Sequence, residues 1–477
     1  MGKNSPMNRE AKRLSRRDFL RWTTLGSAGL IASACAPQVI EKTVEVPVEV
    51  TKIVEKEVEV EKEVEKIVEV TAAPPEAFPS GLSGDLEMIM RNSFIADMNE
   101  IQRNQIAQFA ENTGVDIEAS WAREWRQMYS AAVENETGDI AELFGPDPMV
   151  FGDSLEDLTD ICEELGEKYG GWYEVAKDVS VDENGVWRCI PRAYTAHAFN
   201  YRKSFFEEVG YPDGCKTYDD YLDCATKLAE AGLPPVGNTV SQAGPNDSAS
   251  FCYSLLWSFG GMEVEEDGKT VAINTQETRD ALKWMIEFGK VAYEGITGFD
   301  EGANNQAFMN GDVSCTQNAT SIYWASESQA PDVHNDMSHF KYPAGPGGYH
   351  QLVEMNELAL FAHSENKEAG KAVLRWLMEP DQFVPLVQIG ITFYSPLLKD
   401  YDENPAMPFN VDPVYIPLKG LAHDGHMPGW PAKPSRASGE AYSNQTLVNM
   451  FASVLLGDDI ETAVKRAEEE LKAVYEV

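Results

Sequence analysis

The sequence predicts an α/β protein of two lobes, each with a mostly parallel sheet flanked by helices. Three observations point there. The chain has 477 residues, too many for one simple domain once its first segments are set aside. Apolar residues make up 43% and aromatics 10%, enough to fill real cores. Short alternating apolar runs give way repeatedly to helical periodicity across short connections, the pattern of strand–helix–strand crossovers.

Residues 1–34 read as an address rather than as structure. A basic stretch is followed by Ser15-Arg16-Arg17-Asp18-Phe19-Leu20-Arg21 and then by an apolar run from Trp22 to Ala34. The twin arginines Arg16 and Arg17 sit in a run that resembles the Tat export signal. The apolar run closes on Ala32-Ser33-Ala34-Cys35, which is similar to a lipobox and marks Cys35 as the acylated membrane anchor. That run is shorter than the ~20 residues a bilayer span needs.

Residues 35–83 form the next segment. From Glu41 to Val70 the chain is almost entirely Val, Glu, Lys and Ile, with Val-Glu-Val recurring at 44–46, 48–50, 58–60 and 68–70. Such low complexity builds no core and reads as a solvated tether. With the stiff Pro74-Pro75 junction behind it, the extended tether would hold the body on the order of 100 Å from the membrane.

The body, residues 84–477, opens on Asp85–Met90, where Leu86, Met88 and Met90 alternate as in a strand. A helix follows through Ala110 and ends near Gly114. Val115–Ala119 alternates again, and Trp121, Trp125, Met128 and Ala131 then recur at helical spacing, a stripe that reads as core. Ile140–Phe144 is a third apolar strand. Thr217 with Asp220 has the form of a capping box, and Gly232 stops that helix. Thr275 opens a helix with Ala281, Leu282, Met285 and Ile286 on one face. Asp458 with Glu461 opens a last one carrying Val464, Leu471 and Val474.

The formal charge of -39 repels phosphate backbones and anionic lipid surfaces, which excludes nucleic acid as a partner. The chain carries no P-loop, no His-Glu-x-x-His, no Gly-x-Ser-x-Gly and no dinucleotide-binding glycine pattern. No cofactor is expected. His423 and His426 flank Asp424 but lack a further ligand in register, so no metal is expected either. Apart from Cys35 there are six cysteines, an even number that invites disulfides outside the cytoplasm. Cys215 and Cys224 are the pair near enough in sequence to suggest themselves, and the remaining pairings stay open.

Five local signatures stand in order along the body: Gly185–Pro191 followed by Phe199-Asn-Tyr-Arg-Lys203; Leu256-Trp-Ser-Phe-Gly-Gly261; Phe308-Met-Asn-Gly-Asp-Val-Ser314; Pro343–Gly348; and Trp376–Pro380. Behind a lipoprotein-type signal this series resembles the family 1 extracellular solute-binding proteins, the relatives of maltose-binding protein. The resemblance implies a periplasmic-binding-protein fold of type II, with lobe I at about 84–193 and 355–394 and lobe II at about 199–352 and 400–477. It implies a binding protein rather than an enzyme: a monomer that closes on a small polar solute, a sugar or oligosaccharide, and hands it to the permease subunits of an ABC importer. The lipid anchor would be its one attachment to the outer face of the cytoplasmic membrane.

In open sheets ligands sit beyond the carboxyl ends of the strands, so solute contacts are expected from the following loops and crossings. On the first lobe and first crossing these are Phe94, Asp147, Arg192 and Tyr194. On the second lobe they are Asp247, Asn318 and Tyr323, with Glu354 and Asn356 at the second crossing and Trp430 in a Gly/Pro loop. Flat aromatic faces and bidentate Asp, Asn and Arg groups suit sugar hydroxyls. Arg192 also opens the alternative of an anionic solute, a phosphorylated polyol or a carboxylate. The abundance of carboxylates leaves a secreted glycoside hydrolase as the rival class, with an adhesion or sensor lipoprotein as another.

Overall fold

The computed structural model describes residues 78–476. Arg16, Arg17, Cys35 and the tether up to residue 77 lie outside the described residues. Among the described residues no helix is long and apolar enough to cross a membrane.

The strands are β1 (Asp85–Arg91), β2 (Asp116–Ala122), β3 (Ile140–Phe144), β4 (Ile190–Thr195), β5 (His197–Arg202), β6 (Cys315–Ala319), β7 (Met337–Phe340), β8 (Gln351–Leu352), β9 (Glu354–Leu360), β10 (Tyr394–Ser395) and β11 (Gly425–His426). They form a six-stranded sheet in the order β10-β4-β9-β3-β1-β2, a three-stranded sheet β6-β5-β7 and a pair β11-β8. Each of the two larger sheets has its own apolar core. The chain passes from one to the other through Ala196, between β4 and β5, and returns through Val353, between β8 and β9.

Those crossings explain why the sheets are less parallel than expected. β1 runs parallel to β2 and β3, with the helix Ala96–Thr113 linking β1 to β2 and the helix Trp125–Asn135 linking β2 to β3. β9, by contrast, arrives directly from β8 and lies antiparallel to both β3 and β4. β10 is antiparallel to β4, and β5 is antiparallel to both of its neighbours. Parallel pairing needs a crossover helix, and a strand that enters from the other lobe has none.

Local patterns account for most of the elements. Leu86, Met88 and Met90 of β1 are buried in the first core, as their alternation requires. The helix Ala96–Thr113 ends at Gly114, whose φ of +80° lets its N–H return to the Ala110 carbonyl. The Thr217–Asp220 capping box is formed in both directions at 3.0 Å. Two patterns resolve differently. β2 continues through Trp121 to Ala122 because both pair with the end of β1, so Trp121 is a strand residue and the helix starts at Trp125. The last helix is capped by Asp459, which accepts from Thr462 N–H at 3.1 Å, while Asp458 pairs with Arg466 at 3.0 Å.

In the second core the Phe199 ring lies 4.9–6.2 Å from those of Tyr221, Phe251, Phe340 and Tyr342. Burying one such side chain is worth roughly 1.5–3 kcal/mol. The chain beyond β10, which the resemblance assigns to lobe II from about residue 400, puts Tyr401, Phe409, Leu418 and Met427 into the first core. The expected disulfides are not formed: Cys162, Cys189, Cys215, Cys224, Cys252 and Cys315 are all buried free thiols. Cys215 and Cys224 both pack in the second core. The cysteines act here as small apolar residues packed inside the lobes.

Candidate ligand-binding cleft

Between the two sheets, beyond the ends of β1 and β6, lies a cavity of about 230 Å³. Its base is the pair of crossings, with Thr195, His197 and Glu354. One wall comes from the first lobe, through Arg91, Phe94, Arg123, Trp125 and Phe393. The other comes from the second lobe, through Asn246, Asp247, Glu301, Asn305 and Asn318.

Arg91 ends β1 and is buried. Its Nη1 donates to Asn356 Oδ1 at 2.9 Å, and Asn356 Nδ2 donates in turn to Thr195 Oγ1 at 3.0 Å. The guanidinium lies 5.0, 5.3 and 5.6 Å from the ring centroids of Trp125, Phe144 and Phe393, a cation held among aromatic rings. Trp125 is fixed by its own Nε1–H, which donates to the Glu142 carbonyl at 2.9 Å. At the rim Arg123 covers the half-exposed Phe94 ring at 4.4 Å.

The opposite wall is acidic. Asp247 stands in the first turn of the buried helix Pro245–Ser258, and its Oδ2 accepts from the amides of Asn304 and Asn318, each at 2.9 Å. Burial, with Glu301 and Glu354 nearby, pushes its carboxyl well above the usual range. Glu301 accepts from the Asn246 N–H at 2.8 Å, yet burial and the charge of Glu354 push its carboxyl up to about 7. Burial acts on Glu354 in the same direction. There His197, whose Nε2 lies 3.2 Å away, and Arg91 outweigh it and hold the carboxyl below its ordinary value. Two buried polar atoms at the base, Glu354 Oε1 and His197 Nδ1, have no hydrogen-bond partner.

Of the residues expected at the site, Phe94, Asp247, Asn318 and Glu354 line this cavity. Asn356 stands one step behind, holding Arg91. Asp147 is taken up by Arg126 at 2.8 Å and by the Tyr129 hydroxyl, and lines an adjoining cavity with Tyr442 and Gln445. The other four lie elsewhere. Arg192, beside a register shift in β4, is 1% exposed and donates to Gln102 Oε1 at 2.6 Å inside the first lobe. Tyr194 is buried in the same strand, paired with Ser395. Tyr323 packs its ring 4.2 Å from His334 and 5.5 Å from Tyr415. Trp430 folds back onto the second core, 4.3 Å from the His426 ring and 5.8 Å from Trp257. His423 and His426 also part company: His423 faces Asp402 at 3.7 Å and His426 faces His350 at 2.9 Å.

Sequence reasoning missed Arg91, His197, Glu301 and Phe393. Arg91 and Phe393 sit at the last residue of a strand and just before one, and His197 opens the strand after the first crossing. The available signal was position alone: strand ends and crossings, read one residue further than the loops proper.

A cleft at two chain crossings between two α/β lobes is the form of a solute receptor, and the sequence agrees. Residues 104–413 match the family described as bacterial extracellular solute-binding protein. The chain belongs to this family. As an extracellular solute-binding protein it works outside the cytoplasm. Among curated protein sequences none matches it. Among solved structures it is similar to maltose-bound MalE3 of T. maritima, at 22% identity and a TM-score of 0.69, covering 82% of this chain and 99% of that one. The GacH receptor of Streptomyces glaucescens matches at 15% identity and a TM-score of 0.69, over 83% and 99%. A solute-binding protein of Thermotoga lettingae matches at 18% identity and a TM-score of 0.68, over 83% and 100%. At these identities the likeness establishes the two-lobed fold.

Proposed function

We propose that this solute-binding protein captures a sugar or oligosaccharide in the cleft and delivers it to the permease of an ABC importer, without chemistry on the solute. The observation that carries the reading is the cleft itself. At its rim the Phe94 ring is 36% exposed, and at its base Glu354 Oε1 and His197 Nδ1 are buried without partners. Flat rings suit the C–H face of a pyranose, and buried unpaired polar atoms suit its hydroxyls. The structural neighbours add support: MalE3 is bound to maltose, GacH is described with acarbose, and the Thermotoga lettingae protein holds α-D-tagatose. The anionic-solute alternative rested on Arg192, which is buried away from the cavity.

Capture works by population shift. Solute that touches both walls binds the closed arrangement better than the open one, and so stabilises closure for presentation to the permease. Export by the Tat route, acylation at Cys35 and a monomeric state complete the proposal, resting on the sequence signals. The test is a thermal-shift screen of the purified protein against neutral mono- and oligosaccharides, polyols, sugar phosphates and carboxylates. A ligand at 100 times its dissociation constant adds about 2.7 kcal/mol. A rise with a carbohydrate is expected; rises confined to phosphates or carboxylates would overturn the reading.

A further inference from the structure

We propose that the solute carries a protonated amine, as an amino sugar does, and that its ammonium group lies against Asp247, Glu301 and Glu354. This inference deepens the carbohydrate reading and rests on it.

Three carboxylates face one cavity from the second lobe and the crossing. The partners of Asp247 are neutral amides, and the partner of Glu301 is a backbone N–H. Glu354 is 4% exposed; one of its oxygens meets His197, and the other is buried with nothing to accept from. The cation on the far wall, Arg91, is occupied by Asn356 and enclosed by rings. Hydroxyl groups would satisfy the lone pairs on the acidic wall and leave its charge. An ammonium offers three donors and a full positive charge, which offsets the desolvation that the wall has already undergone. The carboxylates are spread too widely for an inorganic ion: among the described residues no three His, Cys, Asp or Glu side chains come together as a metal site. An ammonium carried on a solute ring needs no such convergence: it meets the unpartnered Glu354 Oε1, while Asp247 and Glu301 supply negative charge from the second lobe.

The titration behaviour agrees. Asp247 is held up by burial and by Glu301 and Glu354, and Glu301 by burial and Glu354 against the opposing pull of the Asn246 N–H, His197 and Arg91. A bound cation lowers both, so binding releases protons near neutral pH.

The experiment is isothermal titration of the purified protein with D-glucosamine, D-galactosamine and the diamine of deacetylated chitobiose, each paired with its neutral hydroxyl or N-acetyl counterpart. It is run at pH 6.5, where the amines are protonated before they bind, in two buffers of different ionisation enthalpy. At least one amine is expected to bind tenfold or more tighter than its neutral counterpart, with proton release. Asp247→Asn is expected to collapse that ratio to within twofold, and Glu301→Gln serves where the first variant folds poorly by circular dichroism. Neutral sugars binding as well as or better than every amine would overturn this inference and leave the carbohydrate reading standing. If no sugar of either kind binds, both fall.

Discussion

Arg91 reaches the cleft from the end of β1 with its guanidinium already hydrogen-bonded and ringed by aromatic side chains, whereas Asp247 faces it across the cavity with neutral amides for partners. The first wall is preorganised around a cation and offers the exposed Phe94 ring at its rim. The second is preorganised around negative charge and offers acceptors. A solute that engages one wall alone gains nothing from closure, while one that bridges both stabilises the closed form by the sum of two unlike sets of contacts. The asymmetry therefore places ring recognition on the first lobe and polar discrimination on the second.

The largest expected effect breaks the first wall. Arg91→Ala is expected to weaken binding of the solute found by thermal shift by about 100-fold, in keeping with the 2–5 kcal/mol lost when one member of a buried charged contact is removed. Arg91→Lys keeps the charge but not the planar fork that meets Asn356, and should fall between. Titration calorimetry on both variants checks this. Affinity within threefold of the parent in Arg91→Ala would move recognition to the acidic wall alone. Asn356→Ala is expected to cost about tenfold by releasing Arg91, and nothing further when Arg91 is already Ala; a double-mutant cycle separates this positioning from direct contact.

Local patterns were legible in the sequence and relations between lobes were not. The alternation of β1, the Thr217 capping box and the stop at Gly114 depend on neighbours within a few residues, and each is formed. Trp121 was misread because Trp121 and Trp125, four apart, mimic a helical stripe, while the hydrogen bonds of β1 decide that Trp121 is strand. The antiparallel run of β9 depends on a crossing from the second lobe, which no local pattern encodes. The same holds at the site. Phe94, Asp247, Asn318 and Glu354 follow from the rule of strand ends and crossings. Arg192 fails it because the register shift between Pro191 and Ala193 turns that position into the lobe.

The acidic wall should also be visible without any ligand. A carboxyl whose folded value is about 7, against an ordinary 4.5, destabilises the fold fully above pH 7, and that penalty disappears as pH falls toward 4.5. The buried Glu263, pushed to about 7 in the second lobe, adds in the same sense. His339 and His426, both lowered to about 4 by burial, already oppose it as pH falls toward 6.5, where the unfolded histidines are half protonated, so the Glu301 contribution is read from the difference between the parent and Glu301→Gln. Between pH 8 and 6.5 the unliganded protein is therefore expected to gain about 1 kcal/mol of stability from Glu301. Glu301→Gln should flatten the urea-midpoint profile by that amount. An unchanged slope would mean that Glu301 is solvated, and the contrast between the walls would weaken.

The smallest expected effect sharpens the comparison by marking where both walls end. Trp430 packs on His350, His426 and Trp257, with centroids 4.6, 4.3 and 5.8 Å away, and none of these four residues lines the cavity. Trp430→Ala should cost about 3 kcal/mol of stability through the space it leaves, with solute affinity within twofold of the parent. Arg192→Met removes the donor to the buried Gln102 Oε1 and so costs stability, but it too should leave affinity within twofold. Aromatic and guanidinium groups are what a sugar cleft uses, so these two variants separate chemical suitability from position. A tenfold loss of affinity in either would show that the cleft extends past the crossings, and that ring recognition is shared between the lobes.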